Sequence, residues 1–310
     1  MNDHDDEQST GVTSTPWVDI HQHTQTLSWN EQHKYDLTGC EAVVMIAHNP
    51  HWSPYRPVSA DDVRFLWDSA LKWADYLDRK HVFDTYVAIG IHTLARVDGW
   101  DELIDVLPAY LELDKVVAVG ETGIEPVQYT SRWPIEDQKT VVGAQMELAA
   151  ETGLPVVTHT PSKKAGAETG TEGWSGLDLT EPDTSVDYSE PKPECVEIDI
   201  QLADRAGLPH EQLVIDHATS DIVELVMEST DAYLGFSVSS PLKGVTAEDI
   251  ADVVQEYGPE RVIVDSDMMG YRYSDVFCIP ETVIDLHNLG LSEETIRTIV
   301  YDNPREVLGL

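Results

Sequence analysis

Eight short runs of β-branched and apolar residues recur along this chain, and that recurrence limits its fold more than any other feature. They are "WVDI" (17–20), "EAVVMIA" (41–47), "TYVAIGI" (85–91), "KVVAVG" (115–120), "LPVVTH" (154–159), "QLVIDH" (212–217), "AYLGFS" (232–237) and "RVIVDS" (261–266). Most are apolar throughout, as parallel strands buried on both faces require. Amphipathic stretches separate them. Residues 60–80 begin at a capping-type residue and keep helical spacing, as do 246–258, and residues 135–153 end on Gly153 as a C-cap. Eight strands alternating with helices in 310 residues predict an α/β fold of the (β/α)8 TIM-barrel type. A doubly wound open sheet is the alternative. It usually carries a Gly-rich turn after the first strand, and "HQHTQT" has none.

The alternation is broken once. Residues 162–194 are rich in Gly, Ser, Thr, Pro and acids and read as a long loop after the fifth strand, either a lid or an acidic insertion. Residues 1–15 read as a flexible acidic leader, leaving a single barrel domain over 16–310. The formal net charge is -38, from 57 acidic against 19 basic residues spread along the chain. With 8 Trp, 12 Tyr and many apolar runs, this is not the composition of a disordered acidic segment. Such a surface resembles that of proteins from salt-loving organisms, and it predicts weaker folding at low salt, where acidic repulsion is unscreened. It also argues against a nucleic-acid partner, since no basic stripe is visible. Cys40, Cys195 and Cys278 are far apart and suggest neither a thiolate zinc site nor a disulfide framework. No signal peptide and no membrane-spanning run is evident, so the expected compartment is the cytoplasm, with a small-molecule substrate and no membrane partner.

Chemistry-bearing residues gather at the ends of these strands. Asp19, His21 and His23 alternate along the first, which puts them on one face of a regular strand. Glu121 ends the fourth, His159 the fifth, His217 the sixth and Asp265 the eighth. In a barrel these positions share the catalytic face. Any one of them has an ordinary structural explanation: a hydrogen-bonded histidine, a helix cap, a turn aspartate. Four histidines and two carboxylates at equivalent ends are more than such explanations supply together. The set suits zinc, manganese, nickel or iron, or magnesium if oxygen ligands dominate, and is large enough for two ions bridged by a carboxylate.

The pieces "DIHQH", "AIGIH", "VGETG" followed by Gln138, "LPVVTHT", "IDHA", "VDSD" and "NPREVLGL" make the chain similar to the TatD-related metal-dependent hydrolases of the amidohydrolase-like barrel superfamily, in a divergent branch, over residues 17–310. The resemblance implies that His21, His23 and Asp265 hold one metal and His159 and His217 a second. Glu121 bridges them, and Asp19 orients the histidines from behind. Asp265 and Glu121 would be the catalytic carboxylates. Asp267 competes with Asp265 for its role. The family's "GxHP" stands here as "GIHT", with His92 but no proline. Lys163 and Lys164 stand where the family often has an arginine.

The implied reaction is hydrolysis by metal-activated water, of a phosphoester by resemblance. Amide, lactone or cyclic-amide hydrolysis on the same barrel is one alternative. A non-catalytic metal-containing accessory or small-molecule-binding protein is another. His92, Trp52, Lys163 and Lys164 are candidate substrate contacts, Trp52 because a Pro-rich loop after the second strand carries it with His48, His51, Tyr55 and Arg56. Trp67 and Trp73, at helical spacing, are expected in the core.

Overall fold

The computed structural model describes residues 15–48, 57–94, 96–125, 133–161, 191–239, 245–270 and 274–310. Eight strands form one parallel sheet in sequential order: β1 (Trp17–Gln22), β2 (Cys40–Ile46), β3 (Asp84–Ile89), β4 (Val116–Thr122), β5 (Val156–Thr158), β6 (Leu213–Ile215), β7 (Tyr233–Ser237) and β8 (Val262–Asp265). The sheet curls into a nearly closed barrel. Its seam runs between β8 and β1, where Gln22 bridges to Met268 and the His23 N–H donates to Met268 O at 2.8 Å. The outer helices are α1 (Trp29–Tyr35), α2 (Ala60–Leu77), α3 (Trp100–Leu111), α4 (Ile135–Thr152), α5 (Pro191–Ala206), α6 (Ser220–Ser229), α7 (Ala247–Tyr257) and α8 (Cys278–Asn288). Then come α9 (Glu293–Arg297), a π-helical turn and α10 (Asn303–Leu308).

The helix boundaries follow local chemistry. Ser28, Ser59 and Thr246 each cap a helix through a reciprocal bond with an acidic residue three positions on, which satisfies two backbone donors at once. Gly153 ends α4 at φ +74°. The loop expected over 162–194 is shorter at its far end, because Pro191 to Glu194 open α5. A proline in the first turn costs no helical hydrogen bond. Residues 162–190, with Lys163 and Lys164, lie outside the described residues, as do His51, Trp52, Tyr55 and Arg56.

Two apolar layers fill the molecule. One, inside the barrel, joins Val18, Ile20, Val44, Ala118, Val214 and Ile263, with Val307 and Leu308 of α10 packed against it. The other lies between strands and helices and includes Trp17, Val43, Met45 and Trp67. Among the described residues no helix is long and apolar enough to cross a membrane.

Two irregularities in the sheet bear directly on the site. Asp19 pairs with Val43 and Gln22 with Met45, so Ile20 and His21 stand opposite the single Val44. Gly120 pairs with Val157 and Thr122 with Thr158, so Glu121 is an extra residue in β4. These are β-bulges, which shift side chains between faces. Gly120 is required at the second one, because a Cβ there would lie 2.9 Å from Val157 O.

Candidate metal centre

The bulge in β1 corrects the expectation that Asp19, His21 and His23 share a face. Asp19 stays in register with outer-layer Val43, while His21 and His23 turn toward the barrel axis. Among the described residues the Asp19 carboxylate has no hydrogen bond to an imidazole. It accepts from the Ser266 N–H at 3.0 Å, the Ser266 hydroxyl at 2.5 Å, Gln22 Nε2 at 3.2 Å and the His21 N–H at 3.3 Å. It fastens the β1–β8 seam instead of setting a tautomer. That second task falls to Asp216, which the sequence reading missed. Its Oδ2 lies 2.5 Å from His21 Nδ1. The opposite nitrogen, His21 Nε2, is buried and without a hydrogen-bond partner, facing the barrel centre.

Glu121 sits at the middle of the cluster. Its Oε1 lies 2.7 Å from His159 Nδ1 and 3.0 Å from His217 Nε2. Its Oε2 faces His92 Nε2 at 3.5 Å, His21 Nε2 at 3.6 Å and His48 Nε2 at 3.9 Å. Two of these rings are held from behind, His159 by Glu125 at 3.0 Å and His217 by the Ser237 hydroxyl at 2.7 Å. Such outer carboxylates and hydroxyls orient metal-binding imidazoles.

Asp265 and Asp267 exchange the places expected for them. Asp267 Oδ1 approaches His23 Nε2 at 3.4 Å and His21 Nε2 at 3.5 Å. Asp265 is buried beside Asp216 and enters no ion pair with an imidazole among the described residues. The physical reason is backbone direction. Asp265 is still in β8, whereas Asp267, at φ +42°, lies where the chain has turned over the barrel mouth. Among the described residues His217, at φ +55°, is the other non-glycine in the left-handed region, and such residues cluster at functional sites. Buried Lys192 supports that turn, donating to His217 O at 2.6 Å and to Thr160 Oγ1 at 3.1 Å. No periodicity signals Lys192, which opens α5. Asp216 had a faint signal as the neighbour of His217 in "IDHA", and His48 had one as the residue just beyond β2.

The charges are shared unequally. Burial alone would lower His21 and His159, but Glu121, with Asp216 for the first and Glu125 for the second, raises both to about 9. Burial works against ionised Glu121, yet His21 and His159 hold it well below the ordinary carboxylate range. Burial pushes His48 down to about 4 and His92 well below its ordinary value, so both are neutral. Burial and then the Asp216 charge push Asp265 well above the usual range, and both its oxygens are buried without a hydrogen-bond partner.

The donors fit a divalent cation. Ligand atoms about 2.1 Å from one tetrahedral ion lie about 3.4 Å from each other. His21 Nε2, His23 Nε2, Asp267 Oδ1 and Glu121 Oε2 approach that spacing, at 3.4 to 3.6 Å for the pairs given above. His21, His23 and Glu121 form one group able to hold a metal, and Glu121, His159 and His217 form another. A separate group, His33, Asp36 and His81, lies away from the barrel mouth at the end of α1.

Comparison with known proteins agrees with this picture. The sequence pattern of a family described as TatD related DNase matches residues 18–309. An uncharacterized metal-dependent hydrolase of Methanocaldococcus jannaschii is 26% identical over 288 residues, 93% of this chain and 98% of the relative. A crystal structure of a TatD-like protein from Archaeoglobus fulgidus superposes with a TM-score of 0.66 at 21% identity, over 95% of this chain and 100% of the other. The phosphotriesterase homology protein of Escherichia coli, solved with phosphate in its active site, has a TM-score of 0.61 at 14% identity, over 95% and 99%.

Proposed function

The chain belongs to the TatD related DNase family and is a metal-dependent hydrolase, and from that premise we propose that it cleaves a small phosphoester using two divalent cations. The observation that carries this reading is the division of Glu121. One oxygen faces His159 and His217, the other faces His21 and His92, so a single carboxylate serves two donor groups. His21, His23, Asp267 and Glu121 would hold one ion, and Glu121, His159 and His217 the other. Ions held there would acidify a water and draw charge from the phosphoryl oxygens, the usual contribution of paired metals to in-line displacement.

The chain's own residues do the rest. Asp267 accepts the proton of the attacking water as its oxygen bonds to phosphorus. The phosphorus–oxygen bond to the leaving group then breaks on the opposite side, the departing oxygen takes a proton from solvent, and Asp267 gives up its proton to water. Neutral His92 and His48 direct N–H groups at phosphoryl oxygens without competing with the cations for Glu121. Asp216 and Glu125 keep the His21 and His159 rings in place. A net charge of -38 disfavours a polynucleotide and favours a small substrate.

Rates on bis(p-nitrophenyl) phosphate, p-nitrophenyl phosphate and a γ-lactone, measured side by side with manganese- or zinc-loaded protein, test the reading. Fastest turnover of a phosphoester is the expected result. Faster turnover of the lactone overturns it.

A further inference from the structure

Helix α4 carries two fully buried glutamines, Gln138 and Gln145, seven residues apart and so on one face, about two turns from each other. No step of the proposed reaction uses either. Each amide closes both backbone groups of a single residue, as a strand partner would. Gln138 Oε1 accepts from the Glu125 N–H at 2.8 Å, and its Nε2 donates to Glu125 O and Trp133 O, both at 2.9 Å. Gln145 Oε1 accepts from the Ile91 N–H at 2.6 Å, and its Nε2 donates to Ile91 O at 3.2 Å and to Thr122 Oγ1 at 2.7 Å. Both clamped residues lie past the ends of their strands, β4 at Thr122 and β3 at Ile89, where the sheet's ladder has stopped. Both also adjoin the metal centre. Glu125 holds His159 Nε2 at 3.0 Å. Ile91 precedes His92, and on the other side Thr93 donates from its hydroxyl to Gly123 O, so His92 is pinned through both neighbours. His92 Nδ1 accepts from the Leu94 N–H at 3.2 Å. That puts the ring proton on Nε2, the nitrogen 3.5 Å from Glu121 Oε2. Gly90 makes room for the clamp, since a Cβ there would lie 2.9 Å from Gly120 Cα and 3.0 Å from Gln145 Oε1.

We propose that Gln145 and Gln138 are positioning residues for separate halves of the site. Gln145 holds His92 as a hydrogen-bond donor to the substrate, and Gln138, acting through Glu125, holds His159 for its cation. The proposal rests on the reading above, for the substrate in its first half and for the cation in its second. The chemistry admits few substitutes. Among side chains of this length only glutamine offers an acceptor and donors from one planar group. Glutamate has the same shape and no donor, so its second oxygen would meet the Ile91 or Glu125 carbonyl with lone pairs opposed, away from water. The two clamps act on different groups, so their loss should have different consequences.

Zinc-loaded, ¹⁵N-histidine-labelled full-length protein tests this. The two ring nitrogen shifts of His92, assigned by their loss in His92→Gln, report its tautomer. Wild type should carry the proton on Nε2, and a proton on Nδ1 overturns the proposal. Gln145→Glu and Gln145→Met are compared, and the one closer to the wild-type melting temperature is used. It should lose the single tautomer, raise KM for bis(p-nitrophenyl) phosphate about fivefold with kcat unchanged, and keep the wild-type zinc affinity in a chelator competition. Gln138→Met should do the opposite, weakening zinc binding at least ~10-fold with the His92 tautomer intact. A general packing role would move both readouts together in both variants, and that result overturns the proposal, as does an unchanged tautomer in the Gln145 variant. If no phosphoester is turned over, or wild type binds no zinc, the reading above fails, while the His92 tautomer still judges the part given to Gln145.

Discussion

Two clusters in this molecule gather imidazoles around a carboxylate, and they are built to opposite ends. In the first, His33 Nδ1 and His81 Nδ1 both lie against Asp36 Oδ2, at 3.0 and 2.9 Å, and the Val82 N–H donates to Asp36 Oδ1 at 2.9 Å. Both carboxylate oxygens are satisfied at hydrogen-bond distance, and the rings of Trp29 and Phe83 pack on His81. This cluster staples the end of α1 to the turn before β3. In the second, Glu121 Oε2 and Asp267 Oδ1 stand 3.4 to 3.6 Å from the nitrogens of His21 and His23, too far for good hydrogen bonds and close to the spacing of ligands around one ion. His21 Nε2 has no hydrogen-bond partner, and neither has His81 Nε2 in the staple, so the difference lies in the carboxylate oxygens. The His159–His217 half falls between the two, because its nitrogens already bond Glu121 Oε1. Residue types alone do not separate a metal centre from a staple. The spacing of carboxylate oxygens from imidazole nitrogens does.

Breaking each cluster should have different consequences. The largest effect is expected for Glu121→Ala, which removes the carboxylate shared by both donor groups. Its kcat/KM should fall at least ~10³-fold, with the melting temperature showing that the barrel persists. Asp267→Asn should lower kcat by about 10²–10⁴-fold and abolish the acid limb of the pH–rate profile, as loss of a general base does. Asp265→Asn sharpens the contrast. Asp265 is held in its protonated form, which an amide imitates, so its loss should be below ~10-fold, and a larger loss would restore Asp265 to the catalytic role. Asp216→Asn removes the partner of His21 Nδ1 and should weaken metal affinity by about 10–100-fold in a competition titration with a chelator.

The smallest effect on turnover is expected at the staple. Asp36→Asn should leave kcat unchanged and cost about 1–3 kcal/mol of stability at pH 7. Burial would raise the Asp36 carboxyl, but bonds from Val82, His81 and His33 bring it below its ordinary value. Its contribution is therefore complete above the unfolded value of about 3.9 and is lost as pH falls through the lower folded value. Urea unfolding of wild type and variant at pH 7 and pH 3 should show a gap that narrows in acid.

The strand ends were legible because buried parallel strands announce themselves as apolar runs, and in a barrel their C-terminal ends converge. That placed His21, His23, Glu121, His159 and His217 around one point before any geometry was known. The errors lie where the backbone departs from regular alternation. A bulge is one extra residue, and it inverts every face assignment beyond it. Hence Asp19 was assigned to the imidazole face when it belongs to the outer one. The same limit applies to Asp267, placed by a left-handed backbone past β8, and to Lys192, which reaches His217 from the start of α5. Gly235 shows a constraint with no sequence signature at all. Its missing side chain leaves room for the Asp216–Asp265 pair, since a Cβ there would lie 2.5 Å from Asp216 Oδ1.

The central claim is that carboxylate oxygens set at ligand spacing from imidazole nitrogens, and not the mere presence of histidine and carboxylate, mark the metal centre. Cations per chain, counted by elemental mass spectrometry after loading with manganese or zinc and removal of free ion, test it most directly in wild type, Glu121→Ala and Asp36→Ala. The account predicts bound ions in wild type, the second held more weakly than the first, a loss in Glu121→Ala and an unchanged count in Asp36→Ala. A full count in Glu121→Ala, or an equal loss in Asp36→Ala, would contradict it.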